Sequence, residues 1–179
     1  LSPYYLEPGF AFRGSCLPKD VRAVLHKAKP LDVTLPILAS VLPSNQLQIE
    51  RGIQAVVEKG RRKVGILGFS FKAGTDDLRE SPIVILAEAL LGKGHELWIY
   101  DRNVSIARLV GANKDYINTQ IPHLSSLLTE SLDELPDTSE VVVVGNLAPE
   151  FSEAPKRTRA DHIVLDLVRV KTAREQIPG

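Results

Sequence analysis

Four consecutive valines, Val141 to Val144, admit few structures, because an unbroken β-branched run suits a strand buried on both faces. Such a strand must sit inside a covered sheet, and the chain contains partners for it. Lys63-Val64-Gly65-Ile66-Leu67-Gly68 reads as a second short buried strand, Glu96 to Tyr100 as a third ending at Asp101, and His162 to Leu165 as the last. Between the two earliest strands, Ser81 stands at an N-cap position and Pro82 at a first helical position. Gly92 or Gly94 closes the helix that they predict over Pro82 to Leu91. Glu88 is the only charge on that helix, so most of its surface is expected to be covered. Ile106 to Leu109 and Leu124 to Leu128 suggest two shorter helices, and Asp133 to Glu140 is a polar surface stretch. Strands alternating with helices at this spacing imply an α/β fold with a parallel sheet and helices on both faces, over residues 61–179.

Residues 1–60 read differently. A loop is followed by a helical face over Asp20 to Ala28, carrying Val21, Ala23, Val24, Leu25 and Ala28. Pro36 opens another helical piece with Ile37, Leu38, Val41 and Leu42, which Pro43 is expected to break or kink. Ser44 then serves as N-cap for a helix over Asn45 to Lys59 that ends at Gly60.

Bulk composition excludes several function classes. Lys plus Arg (22) balance Asp plus Glu (22), so no net field favours nucleic acid or an anionic membrane, and neither is an expected partner. No run of 18 apolar residues is present, and Leu1 to Tyr5 lack the pattern of a signal peptide. The single Cys excludes an internal disulfide and a zinc site of several thiolates, which fits a reducing, cytoplasmic compartment. His26, His95, His123 and His162 have no metal-ligand spacing, so no metal is expected. A chain of 179 residues without Met reads as a piece of something longer.

That one cysteine, Cys16, follows Gly14-Ser15 and precedes a predicted helix starting near Pro18 to Asp20. Unpaired backbone N–H groups at a helix start, with Lys19 nearby, are the surroundings that activate a cysteine nucleophile. The alternative is an inert buried thiol. Gly65-Ile66-Leu67-Gly68 is not the Gly-x-Gly-x-x-Gly fingerprint, so no NAD-binding site is expected on this sheet. Asp101 at a strand end suits either a ribose or a turn, and Arg61-Arg62-Lys63 reads as a solvated strand entry.

The words around Cys16 add to this. Gly9-Phe10-Ala11-Phe12-Arg13-Gly14-Ser15-Cys16-Leu17-Pro18-Lys19-Asp20 resembles the active-site loop of the UDP-glucose/GDP-mannose dehydrogenase family, whose usual form is Gly-Phe-x-Phe-Gly-Gly-Ser-Cys-x-x-Lys-Asp. A second family motif follows, Phe71-Lys72-Ala73-Gly74-Thr75-Asp76-Asp77-Leu78-Arg79-Glu80-Ser81-Pro82, and the resemblance extends to Leu165-Asp166-Leu167. Ala11 and the wording of the second motif look more like the GDP-mannose branch than the UDP-glucose branch.

The resemblance implies oxidation of a sugar-nucleotide C6 alcohol to a carboxylate in two NAD-dependent steps. Cys16 would add to the intermediate aldehyde to form a thiohemiacetal, hydride loss would give a thioester, and water would hydrolyse it. Asp20 would position or activate that water, or else act only as a first-turn carboxylate. By the same resemblance Lys19 and Arg79 are associated with the NAD site, while Lys72, Tyr4, Tyr5 and Phe10 meet the sugar nucleotide. Surface salt bridges are the alternative for the cations, and core packing for the aromatics. The implied architecture is the cysteine loop and end of a central dimerisation region over 1–60, then a Rossmann-like sugar-nucleotide-binding domain over 61–179. NAD is expected mainly on an N-terminal domain outside this chain, the partner is expected to be GDP-mannose before UDP-glucose, and the longer enzyme a homodimer. Two positions depart from the pattern: Arg13 replaces a glycine beside the cysteine, and Glu7 stands where the GDP-mannose branch carries a substrate-contacting arginine.

Overall fold

The computed structural model describes residues 10–12, 16–70, 78, 81–102, 104, 127–129, 131–132, 139–153 and 161–169. The elements in chain order are α1 (Cys16–Ala28), α2 (Pro36–Val57), β1 (Lys63–Leu67), α3 (Pro82–Gly92), β2 (Glu96–Tyr100), β3 (Val141–Val144) and β4 (Ile163–Asp166). Short 3-10 turns span Lys29–Leu31 and Pro149–Glu153.

All four strands are parallel, in the order β2-β1-β3-β4. The valine strand is buried along its whole length, as a two-faced strand must be. On β1, Lys63 is exposed at the entry and Val64 to Leu67 are buried. The outer edge of β2 is met by Leu128, which forms a parallel bridge with Ile99, while Thr129 N–H donates to the Ile99 carbonyl at 2.8 Å. Capping that edge removes a template for unwanted strand addition.

Helix α3 is the crossover from β1 to β2 and lies against β2, with Ile83, Val84, Leu86, Ala87 and Leu90 buried. Gly94 closes it in a Schellman turn: its N–H donates to the Leu91 carbonyl at 2.9 Å, and His95 N–H to the Leu90 carbonyl at 3.0 Å. Ser81 precedes it as expected but makes no side-chain cap. Helix α2 packs on α3, and α1 packs on α2, so these two helices stack outward from the sheet. At the strand entry, Arg62 Nη1 donates to Glu140 Oε1 at 3.1 Å and Lys63 N–H to Glu140 Oε2 at 3.1 Å. Arg61 Nε donates to the Gly94 carbonyl at 2.8 Å, so the basic run ties β1 to its neighbours.

Three expectations need correction. First, α1 begins at Cys16, so the cysteine lies on the helix and not in a loop before it. Pro18 permits this because the first four helical N–H groups have no intrahelical acceptor, and its missing donor costs nothing there. On that helix Pro18, Val21 and Ala28 are buried, whereas Val24 is exposed. Second, α2 runs unbroken through Pro43 for 22 residues, about 33 Å. Ala39, whose carbonyl loses its partner, and Pro43 are both exposed, where water can replace the bond, so Ser44 is helix interior. Third, the last strand is shifted by one residue, to Ile163–Asp166. The helix expected at Ile106 to Leu109 lies outside the described residues, as do most of the one at Leu124 to Leu128 and residues 133–138 of the polar stretch.

Candidate functional site

Cys16 is exposed at the first position of α1. Positions 16, 19 and 20 follow one another on one face of the first turn, with about 6 Å of rise between Cys16 and Asp20. Lys19 Nζ lies 3.4 Å from Asp20 Oδ1, with the side chains 70% and 65% exposed. A pair so open to water contributes at most about 1 kcal/mol, and a ligand can break it. One exposed turn at a helix start therefore presents a thiol, an ammonium and a carboxylate.

The segment leading to this turn is anchored on α2. Phe12 N–H donates to Asn45 Oδ1 at 2.8 Å, and Asn45 Nδ2 donates back to the Phe12 carbonyl at 3.1 Å. The Asn45 amide thus serves Phe12 as a neighbouring strand would. Two residues earlier the Phe10 ring, 5% exposed, rests on the backbone of α2. A Cβ at Gly52 would lie 2.5 Å from Phe10 Cε2 and Cζ, so only glycine leaves room for the ring. Of the two roles left open for Phe10, its burial favours the core. A groove of about 470 Å³ opens between α1 and α2, lined by Phe12, Pro18, Arg22, Asn45 and Ile49 among others. Tyr4, Tyr5, Glu7 and Arg13 lie outside the described residues, as do Lys72 and Arg79.

A second cluster forms at the carboxyl ends of the strands. The strand order reverses between β1 and β3, and in open parallel sheets the crevice at such a reversal is where ligands bind. Here Asn146 stands beside two glycines. Gly68 has φ of 83°, and a Cβ on it would lie 2.4 Å from Asn146 Cγ. Gly145 on the adjacent strand end abuts the Gly68 carbonyl, 2.5 Å from where its own Cβ would stand. The room that Gly68 leaves is occupied by the Asn146 amide, and that at Gly145 by the Gly68 carbonyl and Ile83.

Around Asn146 lies a buried polar network. Asp101 Oδ2 accepts from the N–H groups of Phe69 and Ser70, each at 2.8 Å, and from Asn146 Nδ2 at 3.3 Å. Asn146 Nδ2 also donates to Ser70 Oγ at 3.3 Å, and Asn146 Oδ1 accepts from Ala148 N–H at 3.1 Å. Ser81 Oγ donates to the Phe69 carbonyl at 3.3 Å. Asp101 therefore makes the turn of its two alternatives. Ser70, Asp101, Asn146 and Ser81 are all buried.

Sequence reading passed over Asn45, Gly52, Ser70 and Asn146. A polar residue directly after a four-valine buried strand was the available signal for Asn146, since it must satisfy its amide at a strand end. Among the described residues no three His, Cys, Asp or Glu side chains are grouped as metal ligands, and no helix is long and apolar enough to cross a membrane.

Comparison with known proteins supplies the wider frame. Residues 65–172 match the model for the UDP-glucose/GDP-mannose dehydrogenase family, UDP binding domain, and residues 1–47 match the same family's central domain. GDP-mannose 6-dehydrogenase of Pseudomonas aeruginosa is 54% identical over 168 residues, covering 94% of this chain and 38% of that protein. The enzyme of the same name from Azotobacter vinelandii is 49% identical, with the same coverage. The crystal structure of a ternary complex of the Pseudomonas aeruginosa GDP-mannose dehydrogenase superposes with a TM-score of 0.87, covering 94% of this chain and 38% of that one. A UDP-glucose dehydrogenase from Pyrobaculum islandicum superposes at 0.77, with 27% identity over 98% of this chain and 38% of that one. The chain thus spans 38% of the length of these relatives. With the family's central domain matched over residues 1–47 and its UDP binding domain over residues 65–172, this chain belongs to the UDP-glucose/GDP-mannose dehydrogenase family.

Proposed function

We propose that this chain is the cysteine-bearing, sugar-nucleotide-binding portion of an NAD-dependent sugar-nucleotide 6-dehydrogenase, with GDP-mannose as its substrate before UDP-glucose. The observation that carries the proposal is the first turn of α1, where exposed Cys16 shares a helix face with Lys19 and Asp20. The names of the similar GDP-mannose 6-dehydrogenases support the choice of sugar nucleotide.

In this reading the Cys16 sulfur adds to the C6 aldehyde carbon, and the carbonyl oxygen takes the thiol proton. That carbon would then give its hydride to bound NAD as its hydroxyl loses a proton, and at the resulting thioester Asp20 accepts a proton from the attacking water. The carbon–sulfur bond breaks, and the thiol regains its proton as the carboxylate leaves. Tyr4, Tyr5 and Lys72 contact the sugar nucleotide, and Phe10 holds the loop stem. Lys19 and Arg79 are the contributions of this chain to NAD binding. Residues 1–60 form the cysteine loop with the end of a central region, residues 61–179 form the nucleotide-binding domain, and the longer enzyme is a cytoplasmic homodimer.

Calorimetric titration with GDP-mannose, UDP-glucose and NAD tests the assignment. Binding of a sugar nucleotide in the absence of NAD is expected, with GDP-mannose the tighter. Tight NAD binding by this chain would overturn it.

Arg13 and Glu7 favour a second reading, a nucleotide-sugar-binding or dimerisation module without catalysis. Arg13 puts bulk and charge where the family pattern leaves bare backbone beside the thiol. Restoring Gly at 13 and Arg at 7 in the longer protein raises activity if this reading holds, and leaves it unchanged or lower if Arg13 replaces the lost cation.

A further inference from the structure

We infer that Asn45 is a positioning residue for the Cys16 thiol, acting through the backbone of Phe12. The inference rests on the functional reading above, in which Cys16 adds to the sugar aldehyde. Asn45, Ile49 and Gly52 stand at i, i+4 and i+7 of α2, which places them on one face of that helix. The Phe10 ring lies against Gly52, and Phe12 meets Asn45. Residues 10–12 therefore run along this face toward the N-terminal end of α2. Asn45 takes both polar groups of the Phe12 backbone: its Oδ1 accepts the N–H at 2.8 Å, and its Nδ2 donates to the carbonyl at 3.1 Å. One planar amide holding a donor and an acceptor of the same residue fixes its direction as well as its place. A single bond would leave the chain free to swing.

Phe12 stands four residues before Cys16. Two residues after the thiol, Pro18 is buried, and it lines the same groove as Phe12, Asn45 and Ile49. Val21, about one turn further along α1, is buried as well. In sequence, then, Cys16 lies between two points that are both held at the Asn45 face of α2. The cysteine itself is exposed, so packing of its own side chain does not hold it. Its place is set by these two supports. Addition to a carbonyl needs the sulfur about 3–3.5 Å from the carbon, and an error of about 1 Å can cost about 100-fold in rate. Asn45 meets that demand without touching the ligand.

Cys16 is the single cysteine of the chain, so a nitroxide attached to it reports this position alone. The test compares Asn45→Ala with Val142→Ala, a cavity variant in β3 that leaves the clamp intact, each in buffer where urea unfolding shows it folded. Asn45→Ala is expected to shorten the rotational correlation time of the label by about twofold, and Val142→Ala to leave it unchanged. Asn45→Asp keeps an acceptor for the Phe12 N–H and loses the donor to its carbonyl, so it should loosen the label in the same direction. Unchanged spectra in both Asn45 variants, or an equal change in Val142→Ala, overturn the inference. A second readout uses the unlabelled thiol at saturating GDP-mannose. Protection of Cys16 from iodoacetamide should fall by about threefold or more in Asn45→Ala, while the calorimetric Kd for GDP-mannose stays within about twofold. Weaker binding with protection intact at saturation makes Asn45 a binding residue and overturns the positioning role. If the unmodified chain binds no sugar nucleotide, the functional reading fails, while the nitroxide comparison still decides whether Asn45 holds the Cys16 turn.

Discussion

Replacing Gly52 with alanine sets two physical effects against each other. Intrinsic propensity favours alanine over glycine in a helix interior by about 1 kcal/mol, so on that ground alone the change stabilises α2. Packing opposes it. The added Cβ would stand 2.5 Å from two Phe10 ring carbons, and 3.6 Å from Leu86 Cδ1. Ordinary carbon contacts lie near 3.5–4.0 Å, so the ring must retreat by about 1 Å. Phe10 is buried and has little room to do so. Overpacking of this kind costs about 1–3 kcal/mol, and complete ejection of the ring about 3–5 kcal/mol, which bounds the penalty. The net expectation is destabilisation by about 1 kcal/mol. Urea denaturation reads it as a lower midpoint at unchanged slope. In a Phe10→Ala background the obstacle is gone, and the same Gly52→Ala change should stabilise by about 1 kcal/mol. A rise in stability in the unmodified background would refute the seating of Phe10 on α2.

Asn45→Ala removes two hydrogen bonds to Phe12 and is expected to cost about 1–3 kcal/mol in the same assay; a change below about 0.5 kcal/mol would show that the clamp is not formed. Asp101→Ala leaves two buried backbone N–H groups without this acceptor, so a loss of about 3–5 kcal/mol is expected in urea unfolding. Alkylation of Cys16 by iodoacetamide, followed by mass, should be slowed by bound GDP-mannose, and no protection at saturation counts against a substrate at this turn. Burial pushes the Glu88 carboxyl up. With its folded value above the unfolded one, Glu88 carries no penalty at low pH, and the penalty grows as pH rises through the carboxylate range. Glu88→Gln should therefore raise stability at neutral pH and flatten that dependence, which urea midpoints between pH 4 and pH 7 would record.

The sheet was legible because its strands carry an unambiguous pattern. Val141 to Val144 has no amphipathic alternative, and Ser81-Pro82 with Gly94 bracket α3 by backbone chemistry alone. The helical layer was less legible. Proline rules assume that the lost hydrogen bond matters, but at Pro43 water can replace it, so α2 continues. Pro18 likewise hid the true start of α1. At the site, the Cys16 motif was readable as a word that included Lys19 and Asp20, but their common helix turn was not, because the helix was expected to start after the cysteine. Asn45 and Asn146 were not readable, since each acts on a partner far along the chain, 33 residues away at Phe12 and 76 at Ser70. A single sequence contains no trace of such a pairing until the fold brings the partners together.

The outward stacking of α1 on α2 and α2 on α3 has a mechanical consequence. Ser70 and Ser81 are fastened to the sheet directly, whereas Cys16 reaches it through three successive interfaces. Small displacements at each interface add, so the thiol carries the larger positional error relative to the strand ends. The contact between α2 and α3 is then the tuning joint of the molecule. A change in side-chain size there alters the distance between Cys16 and the strand ends while touching neither.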